Sequence, residues 1–354
     1  MDRQYTLAVI GVGRPRGSDG ATGFGMAHDH VKGFLSTGRC SLTAVADISR
    51  DNAELFADAY GGPRLYEDYF SMLRTEKPDI VSICTWPGLH APMTLAAIDA
   101  GVRAVHCEKP MAPIWGEARR MHEAAVASGV QLTFNHQRRF LDPFQKARAC
   151  LKEGRIGQLV RMEAECADLF DWGTHWLDMF HYFNDEIPAE WVLGQIDARE
   201  VRTIFGVPLE QQGLCCIKFA NGVRATLMTG YEMNIGCAIR LIGSSGVVEI
   251  GWGQPELVLR HDGAWGPVTI PVQEGIHDHA AHGRVAADIV HCLDTGDRPL
   301  LSSYNAVRST EIIFATYESS RRRGRIDLPL NVDGSGLQDM LAAGDIGPGE
   351  PRAA

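Results

Sequence analysis

The chain has 354 residues, enough for two hydrophobic cores, and 45% hydrophobic with 22% charged residues is the composition of an ordinary globular protein. Its formal net charge of −10 argues against nucleic acid or an anionic membrane as the main partner, because both favour a basic surface. No apolar run approaches bilayer length, and the first strand begins too early to leave room for a signal peptide. The nine cysteines are scattered without a C-x-x-C pair, so we expect reduced thiols and a cytoplasmic location.

Short apolar runs alternate with amphipathic helical stretches in the first part of the chain. The pattern predicts five buried strands, at 5–11, 41–47, 79–85, 103–109 and 130–135. Strand–helix alternation of this kind is typical of a parallel sheet with helices on both faces. We therefore predict a first α/β domain over residues 1–136.

The pattern changes after residue 137. A helix near 143–154 is followed by longer strands joined by hairpin turns, of which Asn221-Gly222 is the clearest. These strands predict a large open, mostly antiparallel sheet, closed by helices at 280–294 and 304–323. The second domain is predicted over 137–332. The stretch 333–354, rich in Gly, Ala and Pro, predicts a loosely ordered tail.

The loop after the first strand, "GVGRPRGSDGATGFG" (11–25), has part of a nucleotide-binding pattern. Gly11 and Gly13 stand where a phosphate-binding turn needs glycine, but Arg16 occupies the third glycine position of G-x-G-x-x-G. Gly25 precedes a helical pattern, so it can take the third role if about nine residues are inserted in the loop. A glycine-rich turn without a ligand is the alternative.

Asp47 ends the second predicted strand. A carboxylate there accepts hydrogen bonds from the adenosine ribose hydroxyls and repels a 2′-phosphate, which favours NAD over NADP. Arg14, Arg16 and Arg50 keep NADP open because guanidinium groups bind phosphate well. A capping role for Asp47 at the strand end is the alternative.

Four further segments carry a family resemblance. They are "CTWPGLHAPMTLAAIDAGVRAVHCEKPMA" (84–112), "FNHQRRFLDPFQKARACLKEGRIGQLVRMEAE" (134–165), "DWGTHWLD" (171–178) and the closing segment 296–330. In this order they resemble the Gfo/Idh/MocA oxidoreductases, relatives of glucose–fructose oxidoreductase and inositol dehydrogenase. The resemblance implies a Rossmann domain followed by an α/β domain with an open sheet, a bound nicotinamide nucleotide, and sugar, cyclitol or related polyol substrates. The residues predicted to contact the cofactor are Gly11, Val12, Gly13, Gly25, Asp47, Thr85, Pro87, His90, Glu108 and Lys109.

Lys109 follows a predicted strand, at the edge where doubly wound sheets bind ligands. An ammonium hydrogen-bonded to a substrate oxygen stabilises the alkoxide that develops as a hydride leaves. Asp171 and His175 are four residues apart, so a helix would place both on one face, together with Asp178. The resemblance implies that His175 is the general base and Asp171 its partner at the substrate. The alternative is a buried helix face with a structural histidine.

Substrate contacts are predicted at Arg138 and Trp172. Arg138 and Arg139 suit either an anionic substrate or ion pairs with the carboxylates of this acidic chain. Trp172 and Phe170 offer an aromatic face to a sugar or pack in the core. The group His277, Asp278, His279 and His282 lies in or beside a predicted loop and lacks a fourth fixed ligand, so we expect no metal.

The sequence thus predicts an NAD(P)-dependent dehydrogenase acting on CH–OH groups, with NAD as the favoured cofactor. One alternative is an NAD-dependent glycosidase that oxidises a sugar transiently, eliminates the glycosidic substituent and returns the hydride. Another is a ligand-sensing protein without catalysis. The open sheet predicts a homo-oligomer, dimer or tetramer, because a large exposed sheet face must be covered.

Overall fold

The protein is described from a computed structural model. The structure describes residues 3–200, 202–230, 234–252, 257–261 and 267–347. The chain forms two compact units, and neither is a single continuous segment. The first comprises the described parts of Met1–Ala112, Glu117–Gln137 and His279–Ala306, and the second those of Pro113–Gly116, Arg138–Asp278 and Val307–Ala354. Within the described ranges, every helix is too short or too polar to cross a membrane.

A parallel sheet of six strands forms the centre of the first unit. The strands are β1 (Tyr5–Ile10), β2 (Cys40–Ala46), β3 (Arg64–Tyr66), β4 (Ile80–Ile83), β5 (Ala104–Cys107) and β6 (Gln131–Phe134). Their order across the sheet is β3-β2-β1-β4-β5-β6, the order of a Rossmann fold. In the central strand β1, Leu7, Ala8 and Val9 are fully buried, because helices cover both faces of a parallel sheet.

Ten α-helices lie within the described residues. They are α1 (Met26–Ser36), α2 (Arg50–Ala59), α3 (Tyr69–Glu76), α4 (Pro87–Asp99), α5 (Trp115–Ser128), α6 (Asp142–Lys152), α7 (Gly173–Phe183), α8 (Ala281–Thr295), α9 (Ser303–Arg322) and α10 (Gly336–Ala343). Two helices of the first unit begin at residues whose side chains cap the first backbone N–H groups. The Ser49 side chain accepts the Asn52 N–H at the start of α2, and Asp68 caps α3 in the same way.

Helix α8 belongs to the first unit, whereas the sequence assigned residues 280–294 to the second domain. It packs directly on α1, where a Cβ at Gly33 would lie 2.6 Å from the His282 carbonyl oxygen. The ion pair between Arg39 and Asp294 (3.0 Å) joins the other end of α8 to the same unit. A helix distant in sequence returns to cover the first sheet, and nothing in the local pattern of residues indicates which sheet it covers.

A mixed sheet of nine strands forms the centre of the second unit. A separate two-stranded sheet, β9 (Arg202–Ile204) and β10 (Val207–Leu209), falls between β8 and β11 in the sequence. The nine strands are β7 (Leu159–Cys166), β8 (Ala189–Asp197), β11 (Gln212–Phe219), β12 (Arg224–Thr229), β13 (Ile239–Gly243), β14 (Gly246–Ile250), β15 (Leu257–His261), β16 (Val268–Ile270) and β17 (Ile326–Asp327). Their order is β16-β15-β14-β13-β7-β12-β11-β8-β17, and β7–β12 is the one parallel pair among these described strands. The hairpin turn predicted at Asn221-Gly222 joins β11 to β12, with Gly222 at φ +87°. The predicted fold class is therefore confirmed. Tyr231 and Glu232, within the predicted strand region, lie outside the described residues.

Helix α7 is buried along its whole length in the second unit. A further helix, α10, forms where the sequence predicted a loosely ordered tail from residue 333. It forms because Leu337 and Met340 are buried and because Gly336 packs against the backbone of Tyr317. That prediction was wrong for Gly336–Ala343, and residues 348–354 lie outside the described part of the chain.

Candidate functional site

Three glycines in the loop between β1 and α1 have a backbone conformation that favours glycine. Gly11, Gly13 and Gly25 all have positive φ (+80°, +53° and +69°), which other residues adopt only with strain. A Cβ at Gly11 would lie 2.5 Å from the Thr85 side chain, so glycine is also required there by space. Above Gly13 a Cβ would meet nothing within 4 Å, so the described residues leave this side of the loop open.

The N-terminus of α1 supplies donors that suit a pyrophosphate. Gly25 is its N-cap residue, as the sequence predicted, and it offers no side-chain cap to the first backbone N–H groups. Such N–H groups and the helix dipole favour a negative ligand group. The residues present therefore fit the diphosphate of a dinucleotide, and the contacts of Gly11, Val12, Gly13 and Gly25 with it stay a prediction.

Asp47 directly follows β2 and holds the loop in place. Its Oδ2 accepts the backbone N–H of Val12 (2.9 Å) and of Gly13 (3.0 Å), and its Oδ1 accepts that of Ser49 (2.8 Å). A carboxylate has about four lone-pair positions, so Asp47 retains capacity for one ribose hydroxyl. The structure thus shows the local structural role of Asp47, and its contact with a ribose stays a prediction.

The three arginines that kept NADP as an alternative cofactor each contact another residue of the chain. Arg14 donates to Asn52 Oδ1 and to the Asp19 carbonyl (both 2.8 Å), and Arg50 pairs with Glu54 (2.8 Å). Arg16 lies over the ring of Phe24 at 5.1 Å. These contacts give Arg14 and Arg50 acceptors other than a 2′-phosphate.

The loop after β4 carries Thr85, Trp86 and Pro87, and Pro87 is the first residue of α4. His90, fully buried, joins this loop to the next one. Its Nε2 lies 3.0 Å from the Thr85 carbonyl oxygen and its Nδ1 lies 2.8 Å from that of Pro110, so a ring N–H donates to the backbone. Burial lowers the pKa of His90, which favours the neutral ring. Contact of Thr85, Pro87 and His90 with a cofactor remains a prediction.

Lys109 follows β5 by one residue and is half-buried, as expected for a residue at the carboxyl edge of the sheet. Its backbone N–H donates to Glu108 Oε2 at 3.2 Å. The other oxygen of Glu108 accepts from Asn135 (2.7 Å) and lies 2.9 Å from His30 Nε2. Burial raises the pKa of Glu108, but His30, Lys109 and Asn135 outweigh it and hold this pKa well below its usual range. The Glu108 carboxylate therefore acts inside the first unit, as the anchor of the Lys109 turn.

The sequence analysis did not identify His30 and Asn135 as functional residues. Burial lowers the pKa of His30, but Cys84 and Glu108 outweigh it and raise this pKa. His282 of α8 lies within 3.3 Å of the Asn135 amide and completes the cluster. Because these residues are far apart in the chain, only the fold brings them together.

In the second unit, Asp171 and His175 are both buried, with 4% and 6% of their surface exposed. The helix begins at Gly173, so Asp171 precedes α7 and is not on one helical face with His175, contrary to the prediction. Asp168 fixes the segment instead. Its Oδ1 accepts the backbone N–H of Asp171 (2.6 Å) and Trp172 (3.2 Å), and its carbonyl accepts that of Gly173 (2.8 Å).

Asp168 is a third residue that the sequence analysis missed, although an aspartate shortly before a helix start is an N-terminal capping signal. A Cβ at Gly173 would lie 2.9 Å from the Asp168 carbonyl oxygen, so the tight turn leaves space only for glycine at this position. The tight passage from β7 to α7 thus has a local cause. It presents Asp171 and His175 from one rigid segment.

Asp178, the third acidic residue of the predicted motif, pairs with Arg139. The guanidinium donates through Nε to Oδ2 and through Nη2 to Oδ1, both at 2.8 Å. Arg139 also donates to Glu186, and both Arg139 and Asp178 are almost fully buried. Asp178 is therefore held in an ion pair within the unit.

Arg138 differs from its neighbour. Its side chain lies over the ring of Trp176 (4.6 Å) and near that of Trp172 (5.9 Å). Its Nε and Nη1 are buried and have no hydrogen-bond partner among the residues that the structure describes. The structure thus separates two arginines that the sequence left equivalent.

The two aromatic candidates also separate. Phe170 packs against Val207 and Leu209 in a small cluster and is a core residue. Trp172 is half-buried, with its ring at 5.4 Å and nearly perpendicular to that of His277. Only Trp172 keeps a surface on which a substrate can pack.

The histidine group divides between the units, with His277 and Asp278 in the second and His279 and His282 in the first. His279 and His282 lie with Asp29 so that their ligand atoms are within 4.8 Å of one another, and His279 Nδ1 is 3.0 Å from Asp29 Oδ2. His282 Nδ1 lies 3.0 Å from the His279 carbonyl oxygen and its Nε2 contacts Asn135, so structural contacts occupy this histidine. The expectation of no metal stays a prediction.

The predicted site residues thus belong to two units, each described separately. The cofactor residues and Lys109 lie in the first, and Arg138, Asp171, Trp172 and His175 lie in the second. A Rossmann sheet with a glycine-containing loop after its first strand is typical of domains that bind dinucleotides.

Comparison with known proteins gives the class. Residues 6–136 match the GFO_IDH_MocA family, described as an oxidoreductase family with an NAD-binding Rossmann fold. Inositol 2-dehydrogenase 4 of Saccharopolyspora erythraea is 27% identical over 76% of this chain and 80% of its own length. D-glucoside 3-dehydrogenase of Escherichia coli is 32% identical, over 37% of each chain. The WlbA dehydrogenase of Bordetella pertussis, solved with NADH and UDP-GlcNAcA, has a TM-score of 0.76 at 20% identity, covering 93% of this chain and 99% of that one.

Residues 6–136 are therefore an NAD-binding Rossmann domain of the oxidoreductase type, and the proteins similar to this chain include named dehydrogenases. For these residues the match agrees with the resemblance to the Gfo/Idh/MocA oxidoreductases seen in the sequence.

Proposed function

We propose that the enzyme transfers a hydride between NAD and a secondary alcohol of a sugar, cyclitol or related polyol. Two relatives support this substrate class by their names, one an inositol dehydrogenase and the other a D-glucoside dehydrogenase. The net reaction is oxidation of CH–OH to C=O with release of one proton.

When bound, NAD supplies the nicotinamide ring that exchanges the hydride. The turn at Gly11, Val12 and Gly13 and the start of α1 would hold its diphosphate, and Asp47 would bind the adenosine ribose. Thr85, Pro87 and His90 would support the rest of the cofactor, with the buried His90 holding the backbone of this segment, and Glu108 accepts the backbone N–H of Lys109 at 3.2 Å.

Lys109 donates a hydrogen bond to the substrate oxygen and stabilises the alkoxide that develops there. His175 accepts the hydroxyl proton, and Asp171 binds the substrate or orients the imidazole. Arg138 and Trp172 contact the rest of the substrate. The observation that supports these roles is the segment 168–175, in which Asp168 accepts the backbone N–H groups of Asp171 and Trp172 just before α7, and both Asp171 and His175 are buried.

Net NADH formation separates this proposal from the glycosidase alternative. A dehydrogenase releases reduced cofactor at each turnover, so NADH absorbance should rise one-for-one with oxidised product. The measurement incubates the enzyme with NAD and a panel of free polyols, free sugars and matched methyl glycosides, following NADH and liberated methanol together.

Mixtures without NAD provide the control for that measurement. Methanol released from glycosides with substoichiometric NAD and no lasting NADH signal would reject the dehydrogenase proposal and favour transient oxidation and elimination. NADH formed from free polyols or sugars without methanol release supports it.

NAD(H) should bind more tightly than NADP(H), by about tenfold or more, because the Asp47 carboxylate would face an uncompensated 2′-phosphate. Isothermal calorimetry with both nucleotides measures the ratio. The control variant Arg50→Gln should leave the ratio unchanged, since Arg50 pairs with Glu54 on the surface. Equal affinities in the wild type, or a ratio that depends on Arg50, would show that an arginine governs the cofactor choice.

We also propose a homo-oligomer, dimer or tetramer, and a cytoplasmic location. Apolar side chains on one face of the nine-stranded sheet support the first, since Leu193 and Leu214 on neighbouring strands are 48% and 38% exposed. The thiol state supports the second, because all nine cysteines lie in the described residues and none forms a disulfide.

A further inference from the structure

Arg138 lies in the second unit, at a 3-10 turn (Gln137–Phe140), and only 2% of its surface is exposed. Two of its three guanidinium nitrogens, Nε and Nη1, are buried without a hydrogen-bond acceptor in the described part of the chain. Buried side-chain donors in native proteins almost always have a partner. A charged donor group left without one indicates that its acceptor comes from outside the chain.

The neighbouring arginine shows that carboxylates in this region are already engaged. Both oxygens of Asp178 are occupied by Arg139, at 2.8 Å each. Arg138 and Arg139 are adjacent and have the same side chain, so their different hydrogen bonding results from where the fold places each guanidinium group. Asp178 contributes charge near Arg138 but not a hydrogen bond.

The surroundings keep Arg138 positively charged. Burial lowers the pKa of Arg138 to about 10, while the carboxylates of Asp171 and Asp178 act in the opposite direction. The ring of Trp176 at 4.6 Å provides a π face to the cation but no hydrogen-bond acceptor. At neutral pH the group is therefore a cation with unused donors.

The guanidinium fork matches a planar oxyanion, and its pairing with a carboxylate is bidentate and directional. Arg138 interacts electrostatically with Asp171, which the proposed function places at the substrate. We propose that Arg138 binds a carboxylate of the substrate. On that basis, which rests on the proposed function, the preferred substrate is a sugar acid (an aldonic or uronic acid) and not a neutral polyol.

A carboxylate fits this place better than a phosphate. One guanidinium balances one negative charge, and the acidic side chains of Asp171 and Asp178 already lie nearby. A phosphate dianion would add a second negative charge without a second cation. Because a guanidinium group can bind either oxyanion, the experiment includes both carboxylate-bearing and phosphate-bearing substrates.

The experiment compares matched substrates with the NAD-loaded enzyme: glucose with glucuronate, glucitol with gluconate, and glucose 6-phosphate as the phosphate arm. The acid of each pair should have a kcat/KM about tenfold or more above its neutral partner. Arg138→Gln should lower kcat/KM for the acid by about 10- to 100-fold, mainly through KM, and lower it much less for the neutral partner, so that the acid-to-neutral ratio falls by about tenfold or more. Arg138→Lys should retain part of the preference because it keeps the charge without the fork.

Arg199→Gln is the matched control, because Arg199 is 77% exposed and pairs with Asp197 on the surface of the same unit. It should leave both substrates unchanged. Equal loss for acid and neutral substrates in Arg138→Gln, no loss for either, or a preference for glucose 6-phosphate would overturn the inference. Circular dichroism and thermal melting verify the fold, and Arg138→Lys decides the question if Arg138→Gln does not fold.

Failure of the proposed function has a different outcome, since no member of the panel would then yield NADH. Calorimetric binding of glucuronate and glucose to the NAD complex still tests Arg138. Tighter binding of glucuronate that is lost in Arg138→Gln supports the inference. Equal binding of the two compounds, or glucuronate binding unchanged by the variant, refutes it.

Discussion

Replacing Lys109 or His175 with alanine should lower kcat by about 10²- to 10⁴-fold each, while the affinity for NAD changes little. Lys109→Ala removes the cation that stabilises the developing alkoxide, and His175→Ala removes the group that accepts the hydroxyl proton. Neither change touches the glycine turn or Asp47. Steady-state kinetics with the best substrate of the panel, together with calorimetric titration of NAD, measures both effects.

Matched controls are exposed residues of the same types. Lys32 on α1 and His291 on α8 lie at the surface, and their alanine variants should keep wild-type kcat. A nearly fully active His175→Ala would show that Asp171 or Lys109 is the base. A large loss of NAD affinity in Lys109→Ala would show that this lysine serves the cofactor more than the reaction.

The Rossmann half of the fold could be predicted because its signals are local. Buried parallel strands are short apolar runs, and five of the six were visible in the sequence. The exception was β3 (Arg64–Tyr66), which has three residues and no full period of hydrophobicity. The start of α1 at Met26 was also predictable, because Gly25 stands at the end of the inserted loop, where a positive φ favours glycine.

The contacts that hold the site depend on residues distant in sequence. Glu108 is fixed by His30 and Asn135, and His282 joins them from a helix that the sequence assigned to the other domain. No spacing pattern connects these positions. Only the parallel pairing of β4, β5 and β6, and the return of α8 onto the first sheet, make them neighbours.

The helical argument for Asp171 failed for a local reason that the sequence contained. Asp168 accepts the N–H groups of Asp171 and Trp172, so the helix begins at Gly173. A capping aspartate was available for that prediction and was overlooked. The difference between Arg138 and Arg139 had no such signal, since the two are adjacent in sequence and only the fold pairs one of them with Asp178.

The Arg139–Asp178 pair should be the most costly polar contact to break in the second unit. Arg139→Met removes the bidentate partner of the 1%-exposed Asp178 carboxylate, and breaking a buried pair in this way costs about 3–5 kcal/mol of the free energy of unfolding. That is a large part of the 5–15 kcal/mol typical of a folded protein. Urea unfolding monitored by circular dichroism measures the loss.

Two variants show whether the loss of this charge pairing causes the decrease in the free energy of unfolding. Arg139→Met/Asp178→Leu removes both charges and should recover much of the loss, because no lone carboxylate remains in the core. Arg199→Met breaks the exposed pair with Asp197 and should cost less than about 1 kcal/mol, since water screens that pair. If the double variant is no more stable than Arg139→Met, the cost lies in lost packing of the arginine stem and its contact with the Tyr182 ring at 5.2 Å. If Arg139→Met is as stable as the wild type, the pair does not stabilise this unit.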